Sequence, residues 1–201
     1  MITTLIFDWG GVLTVGKYTQ SILDVLSKEK SVSIEEIYPD FDRFIVQMNE
    51  GVISFREFVE FVNDSLSFKI TEDEMEDIFK RAIVPNEKMI EIIKKLHSKY
   101  KLIMLSDNDD ITVKNLEKYH NKMLNLFTKK YFSHELKMRK PNFKFFKYVL
   151  GDLNIVPSEC IFIDDKPKNV DAAKECGMNG IVFSSVNQLK KELASFGISV
   201  S

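Results

Sequence analysis

The sequence of 201 residues is short of the residues that make turns, with only 8 glycines and 5 prolines. This is roughly half the share found in an average globular chain. A sandwich or barrel of many short strands needs more turns than this composition supplies, so both architectures are disfavoured. We expect long helices instead, with tight turns at a small number of places.

Cysteine is equally scarce, because Cys160 and Cys176 are the only two in the chain. Two cysteines cannot form a disulfide framework, and these two lack the spacing of a metal site. The sequence contains no run of 18 apolar residues, the length that a membrane-crossing helix needs. Asp8 falls where the apolar region of a signal peptide would run. These absences predict a cytoplasmic protein.

Neither sign of charge is in excess, since 28 Lys and Arg residues face 30 Asp and Glu residues. This balance argues against a basic nucleic-acid arm and against a basic patch for membrane surfaces. We therefore expect neither nucleic acid nor membrane as a partner. The sequence gives no indication of oligomeric state.

Apolar runs predict the strands of a sheet. They occupy residues 3–8, 102–105, 160–163 and 181–183, with a weaker run at 131–133. Continuously apolar strands are typical of a parallel sheet covered on both faces. Helical periods separate the later runs, which predicts right-handed crossovers. The expected fold class is α/β, with a Rossmann-like, parallel-sheet, three-layer core.

The long segment after the first strand has helical periods and no comparable strand. Three helices within it are predicted to start with capping boxes, at Ser33, Ser54 and Thr71. We therefore expect residues 15–84 to form an inserted helical-bundle cap. Residues 1–14 and 85–201 would form the α/β core.

Polar residues follow the predicted strands directly. Asp8 ends the first strand, Ser106 ends the second, and the pair Asp164-Asp165 ends the run at 160–163. Ligands bind at the carboxyl ends of strands in an open parallel sheet. Carboxylates gathered there would repel one another without a cation, and Mg²⁺ prefers oxygen ligands. Together with Lys140, such a site suits a phosphate substrate.

Four segments in this order resemble the signature motifs of the haloacid dehalogenase superfamily, whose phosphatases use an aspartate nucleophile. They are Phe7–Leu13, Leu105–Asn108, Met138–Pro141 and Ile163–Asn169. The helical insert between the first two motifs is similar to the small four-helix cap of a branch that includes sugar-phosphate phosphatases.

The resemblance implies a role for each matching residue. Asp8 would be the nucleophile, Ser106 would hold the transferring phosphoryl group, and Lys140 would neutralise charge. The implied phosphate-contacting residues are Trp9, Gly10, Ser106, Asp107, Asn108 and Lys140. The implied Mg²⁺ ligands are Asp8, the Gly10 carbonyl, Asp164 and Asp165, and Asn169 would orient the acidic pair. The expected reaction is Mg²⁺-dependent hydrolysis of a small phosphorylated metabolite, such as a sugar phosphate, through an aspartyl-phosphate.

Two positions depart from the superfamily pattern. Gly10 stands where most of these phosphatases have an aspartate that acts as general acid and base, so proton transfer lacks an obvious carrier. Asp107 stands where asparagine is usual and adds negative charge beside the expected phosphate site. In the cap, Asp42, Arg43, Gln47 and Glu50 could contact substrate, but we interpret them as a solvated helix face.

Three alternatives remain open. A 2-haloacid dehalogenase works without metal and lacks the paired acids, so Asp164 and Asp165 favour the phosphatase. A phosphonate-cleaving hydrolase needs a cap lysine that forms an imine, for which Lys17 is the candidate. A non-catalytic phosphate-binding relative would account for Gly10.

Overall fold

A five-stranded parallel sheet forms the centre of the computed structural model, which describes residues 1–200. Its strands are β1 (Thr4–Phe7), β2 (Lys101–Ser106), β3 (Lys129–Phe132), β4 (Cys160–Asp164) and β5 (Asn179–Val182). Their order across the sheet is β3-β2-β1-β4-β5. The predicted Rossmann-like α/β class is confirmed.

The two edge strands differ from the prediction in their limits. Strand β3 begins at Lys129, and Ser133, which was expected in the strand, starts a short helix. Strand β5 begins at Asn179, two residues before the apolar run. Edge strands have one side open, so they tolerate the polar residues that hide them from a search for apolar runs.

Four helices follow β1 along the chain. They are α1 (Tyr18–Lys30), α2 (Ile34–Asn49), α3 (Phe55–Leu66) and α4 (Glu72–Ala82). The predicted capping boxes at Ser54 and Thr71 are formed in both directions, whereas Ser33 accepts the Glu36 N–H. These helices bury a hydrophobic cluster of their own, to which Ile111 of a later helix also belongs.

The remaining helices cover the two faces of the sheet. They are α5 (Glu87–Leu96), α6 (Asp110–Tyr119), α7 (Asn121–Leu124), α8 (Ser133–Leu136), α9 (Phe143–Leu153), α10 (Pro167–Glu175) and α11 (Val186–Ser195). Successive residues of β1 alternate between two clusters, with Leu5 and Phe7 in one and Ile6 in the other. This gives the predicted three layers. No described helix is long and apolar enough to cross a membrane.

Two chain segments connect the four helices with the sheet and lie beside each other. Thr14 and Pro85 form an antiparallel bridge, and the Val15 N–H donates to the Val84 carbonyl at 2.8 Å. The Asn86 N–H donates to the Leu13 carbonyl at 2.8 Å. The entry to and exit from the four-helix segment are therefore fixed against each other at the carboxyl edge of the sheet.

Candidate active site

A buried lysine joins two carboxylates at the carboxyl edge of the sheet. Lys140 Nζ lies 2.6 Å from Asp8 Oδ1 and 2.9 Å from Asp164 Oδ2, and it donates to the Leu105 carbonyl at 3.0 Å. Strands β1 and β4 are neighbours, and the Asp8 N–H donates to the Ile163 carbonyl at 2.9 Å. Parallel pairing thus brings together residues that are 156 positions apart in the chain.

The charges in this group are not balanced. Burial raises the pKa of Asp8 to about 7, although the positive charge of Lys140 opposes the shift. Burial also acts to raise the pKa of Asp164, but Lys140 outweighs it and holds this pKa below its usual range. Burial would lower the pKa of Lys140, yet the neighbouring carboxylates raise it. One ammonium between two carboxylates leaves room for a further positive charge.

A third carboxylate completes a cluster that fits a divalent cation. Asp8, Asp164 and Asp165 each offer an oxygen, and these oxygens lie within 4.8 Å of one another. Asp165 Oδ1 is buried and accepts no hydrogen bond from any residue between 1 and 200. Burial raises the pKa of Asp165, as expected for an acid that lacks a partner. Hard oxygen donors with one unsatisfied atom fit Mg²⁺.

Other side chains hold the acidic pair in place. Asn169 Nδ2 donates to both oxygens of Asp164, at 2.9 and 3.1 Å, and the Lys166 N–H donates to Oδ1 at 2.8 Å. Gly11 has φ 78°, and a Cβ there would lie 2.6 Å from Asp165 Oδ2. This glycine is therefore required both by its backbone and by the carboxylate beside it.

The unusual Asp107 has a structural explanation. Its Oδ1 accepts the backbone N–H of Lys140 at 3.0 Å, and its Oδ2 lies 3.8 Å from Arg139 Nε. It thus ties the loop after β2 to the segment that carries the lysine. Arg139 was missed as a site residue, although its place next to Lys140 was a signal that it would lie there.

The expected phosphate-contacting residues divide into two groups. Gly10, Ser106, Asp107, Asn108 and Lys140 line one cavity together. The Trp9 side chain does not reach it, because this side chain is buried in the core cluster. The Trp9 N–H donates to Asp8 Oδ1 at 2.7 Å, so its contact is with the expected nucleophile. The expected contact of Trp9 with phosphate therefore falls to its backbone N–H and stays a prediction.

The cavity has a volume of about 300 Å³ and lies between the sheet edge and the four helices. Its lining from the helical segment is Lys17, Tyr18, Thr19, Gln20, Tyr38, Asp42, Ile45, Val46 and Asn49. For Asp42 the structure favours contact with a ligand over a fully solvated face, since its side chain is half-buried in the cavity wall. Its spacing of four and seven residues from Tyr38 and Asn49 was the available signal.

Comparison with known proteins identifies the family. The model of the haloacid dehalogenase-like hydrolase family matches residues 2–177. The chain belongs to this family. This hydrolase is 24% identical over 195 residues to the D-ribitol-5-phosphate phosphatase of Bacteroides thetaiotaomicron, covering 88% of the chain and 89% of the relative.

Two further comparisons cover different lengths of the hydrolase. A haloacid dehalogenase family enzyme from Bacteroides thetaiotaomicron, solved as an aspartate-to-alanine variant with magnesium and inorganic phosphate, has a TM-score of 0.80 and 27% identity. That match covers 92% of this hydrolase and 96% of the other chain. The chloroplast flavin mononucleotide hydrolase 1 of Arabidopsis thaliana is 48% identical over 63 residues, which are 31% of this hydrolase and 26% of the relative. The hydrolase thus spans about a quarter of that relative.

Proposed function

We propose that this hydrolase is a Mg²⁺-dependent phosphomonoesterase that acts through an aspartyl-phosphate on a small phosphorylated metabolite. The observation that carries the proposal is the buried Lys140, held between Asp8 and Asp164 beside the unpartnered oxygen of Asp165. The phosphatase relative and the neighbour solved with magnesium and phosphate support the same reaction class.

In the proposed reaction, Asp8 attacks the phosphorus atom in line with the ester oxygen. An aspartyl-phosphate forms as the bond to the ester oxygen breaks, and this oxygen takes a proton from water to leave as the alcohol. A water molecule then hydrolyses the acyl phosphate. Lys140 offsets charge that Asp8 and the phosphoryl oxygens bring into the buried site. The hydroxyl of Ser106 and the amide of Asn108 are donors for phosphoryl oxygens, since Asn108 Nδ2 is buried and has no partner within residues 1–200.

The proposed Mg²⁺ ligands are Asp8, Asp164, Asp165 and the Gly10 carbonyl, with Asn169 orienting Asp164. Bound Mg²⁺ would offset phosphoryl charge during transfer. In this proposal residues 15–84 act as the cap, which covers the site and supplies the walls facing the leaving group. A cavity of about 300 Å³ is at the small end of ligand sites, which favours a compact ester such as a sugar or polyol phosphate.

Hydrolysis of p-nitrophenyl phosphate tests the proposal. We expect activity that requires Mg²⁺ and that Asp8→Asn lowers by roughly 10⁴-fold or more, because the nucleophile is lost. Asp110→Asn is the matched control, since this exposed acid pairs with Lys114 on α6 outside the cavity. Its activity should equal that of the wild type.

Three results would contradict the phosphomonoesterase. Metal-independent chloride release from 2-haloacids would indicate a dehalogenase. An imine on Lys17, trapped by borohydride, would indicate a phosphonate-cleaving enzyme, because this lysine lines the cavity. Phosphate binding without turnover of any ester would indicate a non-catalytic relative.

A further inference from the structure

One face of α2 forms the wall of the cavity opposite the sheet. Its polar members are Tyr38, Asp42 and Asn49, and its apolar members are Ile45 and Val46. Residues four, seven and eleven apart lie on the same side of a helix, so this face is a single row along the cavity. Such a row, with apolar groups between polar ones, can both orient a ligand and exclude water.

The row runs outward from the expected phosphate end. The Asn49 carbonyl accepts the Ser133 hydroxyl at 2.5 Å, and this hydroxyl also lies 3.3 Å from the Asn108 carbonyl. The last turn of α2 is therefore seated next to the loop that follows β2. Asp42 is seven residues earlier, which is about 10 Å along the helix axis. Its carboxylate would face the leaving group, beyond the phosphoryl group.

Asp42 has no partner of its own. It forms no hydrogen bond or ion pair within the described part of the chain, and it is half-buried. The adjacent Arg43 pairs with Asp40 at 2.9 Å and lies over the ring of Phe44. An unsatisfied carboxylate in a cavity wall is a strong hydrogen-bond acceptor for hydroxyl groups.

One cation of the cavity wall is already paired. Arg139 lies 3.8 Å from Asp107 and 4.0 Å from Glu50, so its charge is offset. Lys17 and Lys166 also line the cavity. Because Asp42 itself has no ion pair, a second anionic group placed beside it would meet an uncompensated negative charge.

We propose that Asp42 determines the substrate class of the active site. It accepts hydrogen bonds from the hydroxyl groups of a neutral polyol or sugar phosphate and repels esters that carry a second anionic group. This inference rests on the phosphomonoesterase proposed above.

The test compares kcat/KM for three esters with Mg²⁺: D-ribitol 5-phosphate, 3-phosphoglycerate and p-nitrophenyl phosphate. Asp42→Ala removes the acceptor, so we expect a loss of roughly 10- to 100-fold on D-ribitol 5-phosphate. Asp42→Asn keeps an acceptor but removes the charge. It should therefore raise kcat/KM for 3-phosphoglycerate, relative to that for D-ribitol 5-phosphate, by about tenfold. The kcat/KM for p-nitrophenyl phosphate, which has no hydroxyl group for Asp42, is the reference to which the other two esters are normalised, and circular dichroism checks that both variants fold.

Asp40 provides the matched control. It lies on α2 close to Asp42, but it pairs with Arg43 and is absent from the cavity lining. Asp40→Ala and Asp40→Asn should leave kcat/KM unchanged for all three esters. Unaltered selectivity in both Asp42 variants, or a wild-type preference for 3-phosphoglycerate, would overturn the inference. Failure of the wild type on p-nitrophenyl phosphate would instead overturn the proposed reaction itself.

Discussion

At the residue scale, two adjacent glycines are constrained in different ways. Gly11 has φ 78° and would place a Cβ 2.6 Å from Asp165 Oδ2, whereas a Cβ at Gly10 would meet no atom within 4 Å. Gly11 is therefore required both by its backbone conformation and by the Asp165 carboxylate beside it, whereas Gly10 has room for a larger side chain.

Gly11→Ala should weaken both stability and metal binding. The left-handed backbone costs an L-residue about 1–2 kcal/mol of unfolding free energy, and the new methyl group displaces Asp165. We expect a loss of Mg²⁺ affinity of roughly 10- to 100-fold, which titration calorimetry of the folded protein measures. The unfolding free energy comes from urea denaturation.

Gly16→Ala is the control for this change. Gly16 also has a positive φ, of 75°, but the atom nearest to its Cβ is Ser21 Oγ at 3.9 Å. It should have a similar stability cost and unchanged Mg²⁺ affinity. Equal loss of Mg²⁺ affinity in both variants would show that the contact with Asp165 is not responsible.

Gly10→Asp should supply the missing general acid. Because the position has room, the variant should fold, and its carboxyl group would protonate the oxygen of the leaving group. General acid help is worth roughly 10²-fold or more, and it matters most for alkyl esters, whose leaving groups are poor. We expect kcat to rise for D-ribitol 5-phosphate but not for p-nitrophenyl phosphate. Gly10→Asn controls for size, and an equal gain in that variant would contradict the acid role.

At the element scale, the sequence was most informative where burial is complete. Strands β1, β2 and β4 were predicted because both faces are covered, so each contains a continuous apolar run. The polar starts of β3 and β5 gave no such signal, since those strands lie at the edges. The helix starts at Ser54 and Thr71 were predictable because a capping box is a local pattern.

The same contrast holds in the candidate site. Asp8, Ser106 and Asp164 were found because strand ends in a parallel sheet converge. The place of Asp42 depends on how α2 packs over the sheet edge, and no local pattern specifies that packing. The burial of the Trp9 side chain is likewise a property of the assembled core.

The capping box of α4 predicts a dependence of stability on pH. Backbone and hydroxyl hydrogen bonds from Thr71 lower the pKa of Glu74. A carboxyl group whose pKa is lower in the folded state stabilises the fold at pH values above its unfolded-state pKa, which is near 4.5. This stabilisation is lost as the pH falls through the folded-state pKa. Glu74→Gln should lower the urea midpoint of unfolding at pH 7. The variant should also lose less stability than the wild type when the pH falls below 4.5. Glu76→Gln, on the same helix outside the box, should retain the wild-type acid dependence, and the same reduction there would contradict the explanation.

At the scale of the whole molecule, the division into a core and a cap over residues 15–84 stays a prediction that packing makes testable. The four helices have their own hydrophobic cluster, and α6 contributes to it through Ile111 while contributing Val113 to the sheet cluster. Tyr18 packs against both clusters, and its hydroxyl donates to the Phe79 carbonyl at 3.1 Å. Helix α6 and Tyr18 therefore couple the two parts.

Ile111→Ala and Val113→Ala separate the two clusters from a single helix. If the cap is its own cooperative unit, Ile111→Ala should lower amide-exchange protection in α1 and α4 by tenfold or more, because each 1.4 kcal/mol of lost packing is about tenfold and such truncations cost about 2–5 kcal/mol. Strand amides should keep their protection. Val113→Ala should instead lower the protection of the strand amides and leave that of α1 and α4 unchanged. Its loss should be smaller because fewer atoms are removed. Equal losses throughout the chain in both variants would instead mean that cap and core unfold as one, since a shared transition transmits any packing defect to every amide.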